Sequence, residues 1–167
     1  RGGRGGGPAG DVSRRGAVRA RGPGAGDGPR VDLDAAAGRR LAAPTGAVAA
    51  AQALPGQSVQ VLVRWYVPVG RPQQDYTTLI HLGQPDAPPL ATGDSPPHGG
   101  SYPTSAWSNG ETIDDRYFLT LPANLPPGRY PVWIGLYDPA TGERLPVVVE
   151  GELQPNGVYL AGWIEVN

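Results

Sequence analysis

The sequence lacks several of the residue types on which common functional sites are built. It contains no cysteine and no methionine, and because all 14 basic residues are arginine it contains no lysine. Without cysteine the chain has no disulfide framework, no thiolate ligands for a metal and no cysteine nucleophile. Its apolar runs also stay well short of the ~18 residues of a membrane-spanning helix, so we predict no membrane span in this chain.

Charged residues are also scarce, at 17% of the chain with a net charge of −1, whereas the 167 residues include 26 glycines and 20 prolines. A glycine and proline content this high approaches that of disordered chains. The composition nevertheless divides along the chain. Residues 1–56 contain nine arginines, four acidic residues and no aromatic residue, whereas residues 57–167 contain five arginines, eleven acidic residues and all twelve aromatics. We therefore predict one folded domain that follows a basic N-terminal segment.

The N-terminal segment, residues 1–45, is predicted to be a flexible arm or linker rich in Gly, Arg and Ala. Residues 1–30 show neither helical nor strand periodicity, and only Val12 and Val18 there could join a core. Ordering so many glycines costs backbone entropy that nothing in the segment offsets. Only Arg1 and Arg4 precede a Gly-Gly pair and no aromatic side chain is interleaved, so we predict no nucleic-acid partner.

The remainder of the chain, residues 46–167, is predicted to fold into short β-strands separated by turns. In the run from Ser58 to Val67, apolar side chains occupy every second position, which is typical of a half-buried strand and places Trp65 in the core. The predicted strands lie at residues 46–53, 58–67, 75–83, 90–92, 112–121, 130–137, 143–149 and 163–166. About seven short strands at this spacing predict an all-β domain, an antiparallel immunoglobulin-like β-sandwich.

Two residues at the start of the 130–137 strand carry local predictions. Tyr130 follows a Pro-Pro-Gly corner, and we predict that its hydroxyl bonds the backbone a few residues upstream, as in the tyrosine corner of such sandwiches. Pro131 cannot donate a backbone hydrogen bond, so we predict that it lies at a sheet edge or a bulge.

The polar residues form no recognisable catalytic motif. His98 follows shortly after Asp94, and such a pair could orient a base or bind a metal, but no third ligand is evident. The chain contains no G-x-S-x-G element, no calcium loop and no phosphate-binding loop. The rival interpretation is that the chain is an enzyme, a carbohydrate-active hydrolase or a transferase fragment. Its catalytic groups would then be carboxylates chosen from Asp94, Glu111, Asp114, Asp115 and Asp138. We predict no catalytic residue, no metal ligand and no cofactor.

The aromatic side chains are better candidates for a binding site. Trp133 and Tyr137 are out of phase with the apolar residues of their strand and are predicted to point away from the core. Tyr102 and Trp107 belong to the long proline-rich loop before them. These four residues are predicted to form an exposed platform that stacks against a sugar or another partner. The alternative is that the long loop folds over that face and buries them.

Three segments resemble a known domain. They are GGSYPTSAW at 99–107, LPANLPPGRYPVWIGLYDPATGERLPV at 121–147 and GVYLAGWIEV at 157–166. They resemble the soluble C-terminal β-sandwich accessory domain of large bacterial membrane glycosyltransferase-like proteins, many from thermophiles, and the likeness covers residues 46–167. The resemblance implies a β-sandwich, a place outside the cytoplasm and no catalytic residue.

The function predicted from these observations is that of a non-enzymatic interaction or structural module at the cell surface or in the extracellular space. One mechanism is recognition of a cell-surface glycan by the aromatic platform. Another is self-assembly into a filament or surface layer, in which the N-terminal arm of one copy packs along a sheet edge of the next. The alternative function is a carbohydrate-binding accessory domain of a glycosyltransferase-like or carbohydrate-active protein.

Overall fold

The computed structural model describes residues 43–48, 52–67, 72–146, 148–149 and 152–167. The flexible arm predicted for the N-terminal segment therefore lies almost entirely outside the described residues. Within these ranges the secondary structure consists of β-strands and short 3-10 turns with no α-helix, which confirms the all-β prediction. The strands are β1 (Ala43–Val48), β2 (Gln52–Ala53), β3 (Ser58–Tyr66), β4 (Thr77–Leu82), β5 (Ala91–Thr92), β6 (Thr112–Thr120), β7 (Gly128–Tyr137), β8 (Val148–Val149), β9 (Glu152–Leu153) and β10 (Tyr159–Val166). The turns are Pro97–Gly100, Thr104–Ala106 and Pro155–Gly157.

Most predicted strands are present with small shifts of their ends. The predicted 46–53 strand is divided into β1 and β2, and β1 begins at Ala43, ahead of the predicted start of the domain. The predicted 143–149 strand is present in part. The chain returns antiparallel to β7 at Arg144 and Leu145, whose N–H donates to the Leu136 carbonyl at 2.9 Å, and Val148–Val149 form β8. The closing strand β10 begins at Tyr159, earlier than predicted.

The strands form two larger sheets and one small one. The first sheet has the order β1-β3-β6 and is antiparallel throughout. The second has the order β2-β10-β7-β4-β5 and is antiparallel except where β2 lies parallel to β10. Strands β8 and β9 pair only with each other. Because β1 belongs to the first sheet and β2 to the second, the N-terminal strand region contributes to both.

One apolar core lies between the two larger sheets. Its fully buried side chains come from both, as expected from alternation along each strand: Val61 and Trp65 from β3, Leu119 from β6, Ile80 and Leu82 from β4, Val132 and Ile134 from β7, and Ile164 from β10. The predicted core position of Trp65 is thereby confirmed. Inside this core the hydroxyls of Thr78 and Tyr117 lie 2.8 Å apart and connect β4 with β6.

The two local predictions at the start of β7 have different outcomes. The hydroxyl of Tyr130 donates to the carbonyl oxygen of Pro126 at 2.8 Å, which confirms its structural role. Of the two alternatives predicted for Pro131, the sheet edge is wrong, because β7 is the middle strand of the five-stranded sheet. The other alternative, a bulge, is found next to Pro131, where the pairing of β10 with β7 shifts register between Leu160 and Gly162. Proline is tolerated there because Pro131 lies just beyond the end of β4, where its carbonyl still accepts from the backbone N–H of Gly83 at 3.0 Å.

Candidate functional site

The outer surface of the five-stranded sheet carries the candidate site. Val132, Ile134 and Leu136 of β7 point into the core, so the residues between them point outward. Strand pairing places His81 and Leu160 on either side of Trp133, Thr77 opposite Tyr137 and Trp163 opposite Pro131. We call this surface the aromatic face. It comprises Thr77, His81, Trp133, Tyr137, Leu160 and Trp163.

Trp133 is held in place by its indole nitrogen. The side chain is half-buried, and Nε1 donates to the carbonyl oxygen of Gly83 at 2.8 Å. In an antiparallel pair, this carbonyl would accept from the backbone N–H of the residue opposite, and that residue is Pro131. Because proline has no N–H, the carbonyl is left for the indole.

A polar pair adjoins Trp133 on the β5 side. His81 Nε2 lies 3.3 Å from Asp94 Oδ2, and Asp94 Oδ1 accepts from the backbone N–H of Ile80 at 2.9 Å. The carboxylate thus takes the place of a backbone acceptor beside β4. Burial, together with the charge of Asp94 and a hydrogen bond to it, raises the pKa of Tyr137. His81 and Asp94 therefore form a polar pair whose carboxylate also affects Tyr137.

Trp163 lies at the other end of the aromatic face. Its side chain is 40% exposed, and the guanidinium carbon of Arg129 lies 4.6 Å from the ring centroid, a cation–π contact. The sequence prediction missed this residue as part of the platform. The signal was available, because Trp163 is out of phase with Ile164 and Val166, which are buried in the core.

The chain between β7 and β10 covers the middle of the aromatic face on the β10 side. A Cβ atom at Gly135 would lie only 2.8 Å from the carbonyl oxygen of Gly157, so no side chain fits there. Leu79, opposite Gly135 on β4, and Val158 are each 2% exposed. The aromatic face is thus interrupted between Trp133 and Tyr137, and the partly exposed His81 and Asp94 lie on the β4 side of Trp133.

The predicted four-residue platform is wrong for Trp107. Trp107 is completely buried, with its ring centroid 6.1 Å from that of Trp65, and its Nε1 donates to the Tyr102 carbonyl at 3.3 Å. Tyr102 packs against the core, and its hydroxyl donates to Glu111 Oε1 at 2.7 Å, which raises its pKa. Both residues are thus used to fold the long loop back onto the core, away from Trp133 and Tyr137. Of the four, only Trp133 and Tyr137 share a surface.

His98 and Asp94, which are close in sequence, do not pair, because each has another partner. His98 lies in the Pro97–Gly100 turn with a positive φ of 51°, where its backbone N–H donates to Asp115 Oδ2 at 2.7 Å. Its ring nitrogen Nδ1 is 3.9 Å from Asp115 Oδ1. Asp94 pairs instead with His81, because the segment after β5 lies beside β4.

The remaining carboxylates have structural partners. Asp114 forms an exposed ion pair with Arg64, at 2.6 and 2.9 Å, which lowers the pKa of Asp114. Asp115 is buried and accepts two backbone N–H groups, Glu111 accepts from Tyr102 and Ser108, and Asp138 accepts from Ala140 and Gln74. Within the described ranges no three His, Asp or Glu side chains are grouped so as to hold a metal ion.

Neither a protein-family model nor a curated protein sequence matches this chain. Among the residues that the structure describes, no helix has the length and apolar character needed to cross a membrane.

Proposed function

We propose that this chain is a non-enzymatic binding module that holds a carbohydrate chain on its aromatic face. The observation that carries the proposal is the position of Trp133, Tyr137 and Trp163 on one outer sheet surface, with the His81–Asp94 pair on the β4 side of Trp133. Pro131 and Tyr137 lie about 20 Å apart along β7, at roughly 3.4 Å per residue, and the contact of Gly157 with Gly135 divides the surface between them. That length suits an extended ligand better than a small compact one.

The chemistry of the aromatic face matches that of a sugar. One face of a pyranose ring exposes C–H groups and packs on an aromatic ring, whereas the hydroxyls at its edge need hydrogen-bonding partners. Binding sites in general combine an apolar surface with a few well-placed polar groups. Trp and Tyr also lose little conformational entropy on binding, because each has only two side-chain torsions. Here the indole rings provide the apolar surface and the His81–Asp94 pair provides the polar groups.

We also propose a specific fold for this all-β domain. We assign the domain to the antiparallel immunoglobulin-like β-sandwiches. Three features support this: the two sheets share one core, the N-terminal strand region divides between them, and Tyr130 at the start of β7 bonds the backbone of Pro126. In such sandwiches, the surface of a sheet and the loops at its ends are available for binding.

The cellular context is proposed from the resemblance of the 99–107, 121–147 and 157–166 segments. We place the module outside the cytoplasm, at the cell surface, as an accessory domain to a glycosyltransferase-like or carbohydrate-active protein. Such a domain would hold a glycan near the catalytic part without taking part in the chemistry. The use of the acidic side chains as structural acceptors supports a role without catalysis.

Self-assembly is a second candidate, and it rests on a different surface. Leu62, Tyr66 and Phe118 lie on the outer surface of the three-stranded sheet and are 40%, 43% and 61% exposed. The N-terminal segment of a second copy could cover them, whereas the edge of β6 offers little room for an added strand. Replacing Phe118 by Ser should then reduce oligomer formation in sedimentation velocity, and an unchanged sedimentation coefficient would remove support for this candidate.

The test of the proposed function is binding to a panel of neutral and acidic polysaccharides, followed by tryptophan fluorescence and calorimetry. We expect Trp163→Ala to weaken binding at least tenfold, about 1.4 kcal/mol, because an exposed aromatic contact is lost. The matched control is Tyr66→Ala, which removes an exposed aromatic side chain from the opposite outer surface. Failure of every polysaccharide to bind, or equal losses in both variants, would contradict the proposal.

A further inference from the structure

The two ring nitrogens of His81 have different surroundings. Nε2 lies 3.3 Å from Asp94 Oδ2. A carboxylate oxygen accepts hydrogen bonds, so in this contact Nε2 carries the hydrogen. The other carboxylate oxygen of Asp94 is fixed by the backbone N–H of Ile80. In the neutral ring, Nδ1 is therefore the unprotonated nitrogen and can only accept a hydrogen bond.

Nδ1 of His81 has no hydrogen-bonding partner within the described part of the chain, where the polar contact of the ring is the one between Nε2 and Asp94. The side chain as a whole is 18% exposed, so the ring is held firmly while one acceptor remains available.

The position of His81 places this acceptor at the edge of the proposed sugar site. His81 lies directly opposite Trp133 in the antiparallel pair of β4 and β7, on the same outer surface. Directly paired residues have Cβ atoms about 5 Å apart. A sugar ring stacked on Trp133 therefore presents its edge hydroxyls to His81.

We infer that His81 Nδ1 selects among glycans by accepting a hydrogen bond from one sugar hydroxyl, with Asp94 as the positioning residue that fixes the ring. The inference rests on the proposed function and identifies the ligand as a glycan with a hydroxyl donor at that point of the ring. Epimers differ in the direction of one hydroxyl, and a hydrogen bond weakens steeply when its angle departs from linearity. Epimers should consequently bind with different affinities.

The test uses tetrasaccharides of β-1,4-linked glucose and β-1,4-linked mannose as probes, because these sugars differ only in the configuration at C2. Two variants separate the two nitrogens. His81→Asn keeps a polar acceptor near the place of Nδ1 and loses the contact with Asp94, whereas His81→Gln keeps a donor near the place of Nε2 and loses the acceptor. Circular dichroism and thermal unfolding of each variant confirm that it is folded, and calorimetry gives the two dissociation constants.

We expect the wild-type protein to prefer one tetrasaccharide by about fivefold or more, the size of effect that one hydrogen bond supports. His81→Asn should retain part of this preference, because the acceptor stays while the contact with Asp94 is lost, and His81→Gln should lose it. Equal binding of both probes by the wild-type protein, a preserved preference in His81→Gln, or loss of the preference in both variants would overturn the inference. If both tetrasaccharides bind equally well and Trp163→Ala weakens their binding, the role of His81 is wrong but the proposed function stands. If neither tetrasaccharide binds, the inference fails, and if no polysaccharide binds either, the proposed function fails with it.

Discussion

At the scale of single residues, Pro131 explains where the indole of Trp133 lies. The carbonyl of Gly83 faces a residue that has no N–H to offer, and Trp133 Nε1 supplies the missing donor at 2.8 Å. A buried carbonyl without a partner is costly, so the proline and the tryptophan act together. Their effects on stability should therefore depend on each other.

A double-mutant cycle measures this dependence. We expect Trp133→Phe to destabilise the wild-type protein by about 1 kcal/mol more than it destabilises a Pro131→Ala variant. The reason is that the alanine introduced by Pro131→Ala has a backbone N–H, which can donate to Gly83 when the indole is gone. Urea unfolding of the four proteins gives the four free energies, and the packing loss of Trp133→Phe cancels between the two backgrounds. If the losses of unfolding free energy caused by the two single substitutions add up to that of the double variant within about 0.3 kcal/mol, the coupling is contradicted.

Residues whose partners are distant in sequence are the ones that the sequence could not assign. His98 follows Asp94 closely along the chain, yet Asp94 pairs with His81 across two segments. Trp107 belongs to a stretch of loop composition, and its burial depends on packing against Trp65. Neither pairing leaves a local pattern. Trp163 differs, because alternation within its own strand already separates it from the core.

At the scale of elements, β6 lies at one edge of the three-stranded sheet, and neighbouring segments of the chain cover this edge. Asp115, buried in this strand, accepts the backbone N–H groups of Arg116 and His98, each at 2.7 Å, and so fixes the Pro97–Gly100 turn against the edge. Further along, a Cβ at Gly93 would lie 2.5 Å from the Phe118 carbonyl oxygen, so the chain after β5 also lies against it. A covered edge resists pairing with another chain.

The contribution of Asp115 is measurable against its neighbour Asp114. We expect Asp115→Asn to lower the free energy of unfolding by about 1–3 kcal/mol, because one buried N–H then faces an amide NH2 instead of an oxygen. Asp114→Asn on the exposed side of the same strand should have a small effect, as is usual for exposed ion pairs. Urea denaturation compares the two. Equal stabilities of the two variants would show that the turn is held by other contacts.

Elements with strong alternation were predictable and elements without it were not. β3 and β7 place apolar side chains at every second position, β6 does so except at Asp115, and each strand appears close to its predicted range. The 143–149 region also contains apolar residues, but it pairs with β7 only next to the turn, where Leu145 N–H donates to the Leu136 carbonyl at 2.9 Å. Beyond that pair, the carbonyl oxygen of Gly157 lies against Gly135, a contact between two segments that no local sequence pattern predicts.

At the scale of the whole molecule, the Thr78–Tyr117 contact connects the two larger sheets within the core. Burial is the main cause that raises the pKa of Tyr117 well above its ordinary value of 10, and a hydrogen bond with Asp115 adds to it. Below pH 10 the phenol is neutral in both the folded and unfolded protein. Above pH 10 it ionises first in the unfolded chain, so stability must fall as the pH rises.

We therefore expect the free energy of unfolding to decrease above pH 10, by up to about 1.4 kcal/mol per pH unit for this one group. Tyr117→Phe should be less stable at neutral pH, since Thr78 loses its partner, but its decline above pH 10 should be shallower. Tyr66→Phe, which removes an exposed hydroxyl, is the control. Urea unfolding at several pH values measures the slopes. Identical slopes in the wild-type and Tyr117→Phe proteins would refute the assignment.

The two anchored indoles also bear on the rate of association. The ring of Trp133 is fixed by the Gly83 carbonyl, and that of Trp163 contacts the Arg129 guanidinium. For the proposed binding of a sugar, contacts within the protein thus already hold both rings, and we expect no preceding rearrangement of either side chain. Association should then proceed in one step at a rate proportional to sugar concentration, so that differences in affinity between glycans arise mainly from how fast each one leaves.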